Sequence, residues 1–305
     1  MRIWVTGGSG ALGQELVKVL GRHFPAATLF APTSHELNLE DAEAVDDFVR
    51  LNKPTHVYHL AARVFGIGGH TKNPEASLLS NTRIDNNVFT PLFENPPIWI
   101  YYASTVAAYG YPYVALPLSE DDWLGSEPHE SEYGYAMSKR LAIAYLELLS
   151  EKRNVRFVYG LSTNLFGRGD RFLNGGGHVM VSLLERAKSA QQENKPLSVW
   201  GEPSSSRDFL STRSAAEIIS ELTNQNVGIV NIASGTEISI ETIAKLISRI
   251  FALEKGYVFT HEMQGIPNRY CDITKLRKYS KYACSVNSIE EIESEICLAA
   301  KNQSF

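Results

Sequence analysis

The chain has 305 residues, of which 44% are hydrophobic and 10% aromatic, so it can bury a substantial core as one large α/β unit or as two lobes. Its formal net charge of −5 argues against a nucleic-acid binder and against a basic membrane-surface protein. A strand-like run starts at residue 2 and leaves no room for a secretory signal. The chain has no apolar run of about 18 residues, so we expect no membrane span.

The first half of the chain alternates short apolar runs with helical patterns. Strands are predicted at 2–7, 27–32, 55–62, 98–104 and 154–162, and helices at 11–23, 41–52 and 132–150. This alternation is typical of right-handed βαβ units. We therefore predict an α/β fold, a Rossmann-type doubly wound parallel sheet.

The second half of the chain has a different pattern of loops, helices and strands. The patterns predict a loop at 174–178, a helix at 179–190, a strand at 196–201, a polar loop at 201–209, and then helix, strand and helix at 214–222, 227–234 and 239–251. We predict a dinucleotide-binding domain over 1–165, to which about 208–235 returns. The rest of 166–305 is expected to form a smaller α/β lobe that binds substrate over the edge where the strands end.

A glycine-rich turn, TGGSGALG at 6–13, joins the first strand to the first helix. Gly7 permits a tight turn, Gly10 lets the backbone approach a pyrophosphate, and Gly13 lets the helix pack against the strand. Phosphates would then lie on free N–H groups at the helix N-terminus. Ala11 and Leu12 belong to the same predicted cofactor contact.

The segment after the second strand, APTSHELN at 31–38, bears on the choice of dinucleotide. NAD sites usually carry an acid there and NADP sites an arginine. No acid precedes Glu36, whereas Thr33 and Ser34 can hydrogen-bond a 2′-phosphate and Asn38 can meet the adenine edge. This favours NADP(H) over NAD(H).

Three residues suit the reduction of a carbonyl. Tyr135 and Lys139 stand at i and i+4 of a predicted helix, which places them on one face. An ammonium beside a phenol is expected to lower the tyrosine pKa and fit it for proton transfer. Thr105, at the end of a predicted strand, can orient the carbonyl, with Ser104 as the alternative one residue away.

The motifs TGGSGALG, HLAA, ASTVAAYG, YAMSK and TNLFG together resemble the extended short-chain dehydrogenase/reductases over nearly the whole chain. Within that family, HELNLEDAEAV, AARVFGIGGHTKNP, GGHVMVSLLERA and VWGEPSSSRDFL are similar to the GDP-L-fucose synthases. The resemblance implies a Rossmann domain, NADP(H), a GDP-sugar substrate and a homodimer. It implies an enzyme of nucleotide-sugar biosynthesis for surface polysaccharide.

The resemblance also assigns roles to residues. It implies a triad of Thr105, Tyr135 and Lys139. Around the cofactor it places Leu39, Ala61, Ala62 and the loop from Ser162 through Asn164 to Leu165. Contacts with the substrate are expected from Arg186, Trp200, Arg207 and Arg269.

One position departs from that pattern. The epimerase step of GDP-L-fucose synthases uses a cysteine base and a histidine acid, and His178 matches the histidine. The cysteine position holds Ala107, whose methyl group cannot take a proton. Inversion beside a ketone needs one group to remove hydrogen and another to return it, so we expect reduction without epimerisation. His178 is left with either a catalytic role or a purely structural one.

The leading hypothesis is an NADPH-dependent reductase of the C4 ketone of a GDP-linked 4-keto-6-deoxy sugar, either a hexose or a heptose. The alternatives are a bifunctional epimerase–reductase, an NAD-dependent 4-epimerase and a non-catalytic dinucleotide-binding regulator. A 4,6-dehydratase is disfavoured because Thr105 is followed by Val106 and Ala107. No metal is expected.

The three cysteines complete the prediction. Cys271, Cys284 and Cys297 include no CxxC pair and are expected to be reduced thiols, not a disulfide framework or a zinc site. This pattern favours a cytoplasmic location.

Overall fold

The computed structural model describes residues 1–64, 73–167, 179–260 and 266–301. Its helices are α1 (Ala11–His23), α2 (Ala42–Asn52), α3 (Pro74–Glu94), α4 (Tyr133–Arg153), α5 (Val179–Glu193), α6 (Thr212–Glu221), α7 (Ile240–Ile250), α8 (Thr274–Arg277) and α9 (Ser288–Lys301). Its strands are β1 (Arg2–Thr6), β2 (Thr28–Phe30), β3 (His56–His59), β4 (Trp99–Thr105), β5 (Arg156–Ser162), β6 (Asn164–Phe166), β7 (Leu197–Val199), β8 (Ser206–Arg207), β9 (Phe209–Ser211), β10 (Gly228–Ile232), β11 (Ile238–Ser239), β12 (Tyr257–Phe259) and β13 (Asn268–Arg269).

Six strands of the described chain form one parallel sheet in the order β10-β5-β4-β3-β1-β2. Helices cover both faces of the sheet. Every side chain of β3 and most of those of β4 are therefore buried, without an alternation of buried and exposed residues. The predicted α/β fold with a doubly wound parallel sheet is confirmed. The sixth strand comes from the second half of the chain, since β10 pairs with β5 from Gly228–Val158 to Ile232–Ser162.

Helix α3 was not predicted from the sequence. Its buried face carries many polar side chains, including Ser77, Asn81, Asp85 and Asn87, so the sequence shows no clear apolar stripe. Hydrogen bonds compensate for this burial: Asp85 bonds to two strands of the sheet, and Asn81 and Asn87 bond to backbone groups outside it. Asp85 is hydrogen-bonded to Tyr102 and His59, on strands β4 and β3 of the sheet.

Buried apolar side chains form two clusters. The first fills both faces of the six-stranded sheet and includes Trp4, Tyr102 and Leu146. The second lies between α5, α7, α9 and the short strands of the later chain, and includes Phe166 and Ile243. The division into a dinucleotide domain and a substrate lobe stays a prediction.

The segment 201–209, predicted as a polar loop, contains short strands. Strand β8 pairs antiparallel with β11 and parallel with β13, and β9 pairs with β6. Strands of two or three residues are too short to show a period in the sequence. They bring Arg207 and Arg269 side by side in the register.

Two further observations concern the chain as a whole. Cys271, Cys284 and Cys297 are free thiols. No helix in the described ranges is long and apolar enough to cross a membrane.

Candidate active site

A cavity of about 810 Å³ opens at the carboxyl ends of β1, β3, β4 and β5. In open α/β sheets this edge is where ligands bind. The lining includes the glycine turn, the ends of the strands and the first turns of α4; the predicted residues among it are Gly7, Gly10, Ala11, Leu12, Gly13, Ser34, Asn38, Leu39, Ala61, Ala62, Thr105, Tyr135, Lys139 and Leu165.

The glycine turn has the geometry of a pyrophosphate site. Gly7 has a φ of +69°, in the left-handed region, and Gly10 N donates to Gly7 O at 3.0 Å. A Cβ on Gly13 would lie 2.1 Å from Gly7 O, so only glycine lets α1 approach the turn this closely. Gly10 caps α1 without a side-chain hydrogen bond, which leaves the helix N-terminus to an anionic ligand. These residues fit a dinucleotide.

Of the residues after β2 that were predicted to contact the cofactor, only some line the cavity. Ser34 and Asn38 line the cavity, but Thr33 is not among the described lining residues. The N–H and hydroxyl of Thr33 instead donate to the Glu36 carboxylate, at 2.8 and 2.9 Å. Glu36 N in turn donates to Thr33 O at 3.0 Å, so these contacts close a local turn. The contact of Thr33 with a 2′-phosphate therefore stays a prediction, and Arg63, which lines the cavity, was missed.

The strand-end hydroxyls have different environments. Ser104 Oγ is buried and donates to Tyr159 Oη at 2.8 Å. Thr105 Oγ1 accepts the N–H of Ala107 at 3.1 Å, which starts the turn Val106–Ala108 and leaves its own proton to a ligand. Thr105 is thus the better placed of the two to hold a carbonyl.

Tyr135 and Lys139 lie together on the buried face of α4 and both line the cavity. Lys139 Nζ lies 5.9 Å from the centre of the Tyr135 ring, and it donates to Tyr102 Oη at 3.1 Å. Burial, aided by Glu132 and Asp85, raises the pKa of Tyr135 above its usual value. The expectation that Lys139 lowers this pKa was wrong for this geometry, because burial and two carboxylates act in the opposite direction.

The position at which an epimerase base was expected holds an apolar, buried side chain. Ala107 lies in the turn Val106–Ala108 with 4% of its surface exposed. His178 lies outside the described residues. Asn164, expected beside the cofactor, instead donates its side-chain amide to the backbone oxygen of Asp208 at 3.0 Å.

The predicted substrate residues fall into two groups. The Arg186 guanidinium lies 4.3 Å from the centre of the Trp200 ring and donates to the Ser198 carbonyl. Arg207 donates to the carbonyls of Ser206, Ile266 and Pro267. Burial and the neighbouring Arg269 lower the Arg207 pKa to about 10.

Arg269 has partners within the protein. Its guanidinium forms a buried ion pair with Glu132, and its Nε donates to Tyr113 Oη at 2.8 Å. Glu132 directly precedes α4, so this pair ties β13 to the start of the helix that carries Tyr135. The role of Arg269 as a substrate contact stays a prediction, and its charge is already paired with Glu132 within the protein.

Two carboxylates in and around the site were missed by the motif analysis. Asp208 is buried and accepts from Ser234 N, Ser234 Oγ and Gly235 N. Asp85 accepts from Tyr102 and His59. Both acids stand in polar stretches, NTRIDNN and SSSRDF, where a carboxylate does not indicate a partner.

The model of the family described as "NAD dependent epimerase/dehydratase family" matches residues 3–233. The chain belongs to this family. A GDP-L-fucose synthase from Azorhizobium caulinodans is 26% identical over 280 residues, which cover 90% of this chain and 89% of the relative. The resemblance drawn from the motifs is thereby confirmed.

Solved structures agree on the fold. A GDP-L-fucose synthetase from Naegleria fowleri bound to NADP is 23% identical, has a TM-score of 0.84, and is matched over 98% of this chain and 92% of its own. A GDP-mannoheptose C4 reductase from Campylobacter jejuni with NADP bound is 20% identical, has a TM-score of 0.81, and is matched over 98% and 97% of the two chains.

Proposed function

We propose that the protein is an NADPH-dependent C4 reductase of a GDP-linked 4-keto-6-deoxy sugar, a hexose or a heptose, without epimerase activity. The observation that carries the proposal is one cavity that contains the glycine turn, Thr105, Tyr135 and Lys139, while the residue two positions after Thr105 is a buried alanine.

The enzyme class and cofactor rest on the relatives. The expectation of an NADP(H)-dependent oxidoreductase of nucleotide sugars is confirmed at the level of the family, in which solved neighbours bind NADP. Residues 1–165 with about 208–235 would hold the cofactor, and the rest of 166–305 the GDP-sugar. The homodimer and the cytoplasmic location stay predictions.

The phenol of Tyr135 is the proposed proton donor. When bound, NADPH supplies the hydride for the sugar ketone. A phenol is protonated at neutral pH even without the rise in pKa that burial causes here, so Tyr135 carries a proton that it can deliver to the ketone oxygen. The Thr105 hydroxyl would donate to the same oxygen and fix its orientation.

Arg207 is the proposed anchor for the diphosphate of the substrate. Its guanidinium is partly buried and donates to three backbone carbonyls, which are neutral. A cation withdrawn from water gains from an anionic partner. Arg186, stacked on Trp200, would supply a second contact at the GDP end.

Assays with two substrates test the proposal. Purified protein is mixed with NADPH and either GDP-4-keto-6-deoxy-mannose or its heptose homologue, and cofactor oxidation is followed optically. NMR of the product is expected to show a C4 alcohol on an unchanged ring configuration. Absence of oxidation with both sugars would overturn the proposal, and protein that is purified with stoichiometric NAD would favour a 4-epimerase.

A further inference from the structure

A continuous chain of buried hydrogen bonds leads away from Lys139. Lys139 Nζ donates to Tyr102 Oη at 3.1 Å, and Tyr102 Oη donates to Asp85 Oδ2 at 2.7 Å. The second carboxylate oxygen, Asp85 Oδ1, lies 3.0 Å from His59 Nε2. Three elements, α4, β4 and α3, are joined in this way to β3.

The chain ends at the glycine turn. His59 Nδ1 lies 2.6 Å from Thr6 Oγ1, and the same oxygen accepts the N–H groups of Leu60 and Ala61 at 3.2 and 3.1 Å. With both of its lone pairs used, the Thr6 hydroxyl must donate its proton to His59 Nδ1. His59 is therefore neutral with its proton on Nε2, and that proton is donated to Asp85.

This polarity leaves one cation and one anion in the chain. The five residues of the chain are buried, with at most 3% of the surface exposed in each: Thr6, His59, Asp85, Tyr102 and Lys139. Neutral His59 and Tyr102 cannot balance a charge, so the Lys139 ammonium and the Asp85 carboxylate are each other's partner across the Tyr102 hydroxyl. A buried charge without such a partner destabilises the folded state strongly.

The other titratable groups around Lys139 do not replace Asp85. Tyr135 lies on the same helix, and the Tyr159 hydroxyl from β5 donates to the backbone oxygen of Lys139 at 2.8 Å. Burial raises the pKa of both phenols. Glu132, at the start of α4, is paired with Arg269. Burial lowers the pKa of Lys139, and the Asp85 carboxylate opposes that change.

We propose that Asp85 is a positioning residue that keeps Lys139 charged and aimed into the cavity through the Tyr102 hydroxyl, with His59 and Thr6 holding the carboxylate from its other side. The charge pairing stands on the geometry alone. Its consequence for turnover rests on the proposed reductase function.

A double-mutant cycle tests the pairing without any substrate. The midpoint of thermal unfolding is measured for the wild type, Asp85→Asn, Lys139→Met and the double variant. Each single change leaves a buried charge without its partner and should lower the midpoint by on the order of 10 °C. The double variant removes both charges and should lose clearly less than the sum of the two single losses. Additive losses would overturn the proposal.

A conservative pair of variants tests the route through Tyr102. Tyr102→Phe removes the bridging hydroxyl and keeps the ring, whereas Tyr101→Phe changes the neighbouring residue of β4, which is equally buried and points to the opposite face. In the reductase assay Tyr102→Phe should move the alkaline limb of the rate profile to lower pH by about one unit, because Lys139 then loses its proton more readily. Tyr101→Phe should leave the limb in place.

The two measurements separate the possible failures. Identical limbs for wild type and Tyr102→Phe would overturn the bridging role. A protein that shows coupling between Asp85 and Lys139 but no turnover would refute the proposed function and leave the charge pairing intact.

Discussion

At the scale of single residues, proton delivery depends on the phenol of Tyr135. Replacing Tyr135 with Phe removes the donor and should lower kcat by about 100-fold or more, the usual contribution of a general acid. Because the ring stays, the Kd for NADPH should change by less than about threefold. The matched control is Tyr133→Phe, since Tyr133 lies on the same turn of α4 but is 44% exposed. An active Tyr135→Phe protein would contradict the assignment.

The glycine turn offers a second test at this scale. Gly13→Ala puts a methyl group 2.1 Å from Gly7 O and should displace α1 from the turn, weakening NADPH binding by about tenfold or more. Gly21→Ala, in the same helix, meets nothing within 4 Å and should stabilise the protein by up to about 1 kcal/mol. Titration of NADPH fluorescence and thermal unfolding measure the two effects. Equal affinities for both variants would contradict the proposed role of the turn.

Which residues form the site could be predicted from the sequence better than the pKa values of those residues. The glycines, Thr105, Tyr135 and Lys139 follow fixed spacings along single elements, and the structure brings them into one cavity. The pKa of Tyr135 depends instead on burial, on Glu132 and on Asp85. Burial and Asp85, which is fifty residues away in the chain, leave no local pattern in the sequence.

The beginning of α4 is the element whose position decides where Tyr135 lies. The buried pair of Glu132 and Arg269 fastens this point to β13. Glu132→Gln leaves a buried guanidinium without its carboxylate, and we expect a loss of about 3 kcal/mol in the free energy of unfolding together with a fall in kcat/KM. Chemical denaturation and the reductase assay measure the two losses.

A surface ion pair is the control for this prediction. Glu293 accepts from Arg249 at 2.6 Å, and both side chains are largely exposed. Glu293→Gln should change the free energy of unfolding by less than about 1 kcal/mol and leave kcat/KM unaltered. If Glu132→Gln were as mild as this, α4 would not depend on the buried pair.

Elements were predictable where one face is apolar and the element is long enough to show its period. Helix α1 was predicted as 11–23 and is observed as Ala11–His23. Helix α3 was missed because its buried face is polar, and β8 and β13 because two residues carry no period. These are the elements that carry Asp85, Arg207 and Arg269, so the contacts of these residues could not be predicted from the sequence.

On the scale of the whole molecule, Asp208 joins three distant segments. Its carboxylate accepts from Ser234 and Gly235, its N–H donates to Arg269 O at 3.0 Å, and its carbonyl accepts from Thr163 at 2.9 Å. Burial raises the pKa of this carboxyl from 3.8 to about 6. The folded state therefore holds the proton to a higher pH than the unfolded chain does.

The sign of this shift predicts how stability changes with pH. The contribution of Asp208 is fully present below pH 3.8 and is lost as the pH rises through about 6, a change of about 3 kcal/mol. Asp208→Asn cannot titrate, so the free energy of unfolding of the wild type should fall relative to this variant as the pH rises. Denaturant titrations between about pH 4 and pH 7 measure the difference.

A second carboxylate provides a control of opposite sign. Hydrogen bonds from Thr274 lower the pKa of Asp272, so its contribution is present at neutral pH and lost as the pH falls. Asp272→Asn should therefore be less stable than the wild type at neutral pH and approach it in acid. Parallel curves for both variants would contradict the opposite shifts.

Solvent exchange during turnover is the most direct test of reduction without epimerisation. GDP-4-keto-6-deoxy-mannose and NADPH are incubated with the protein in deuterated water, beside a sample without protein, and the product is examined by NMR. With Ala107 in the place of a base, we expect NADPH oxidation and no deuterium at C3 or C5 beyond that of the protein-free sample. Deuterium incorporated at either carbon at the rate of NADPH oxidation would show that a second base is present and would contradict a reductase that acts alone.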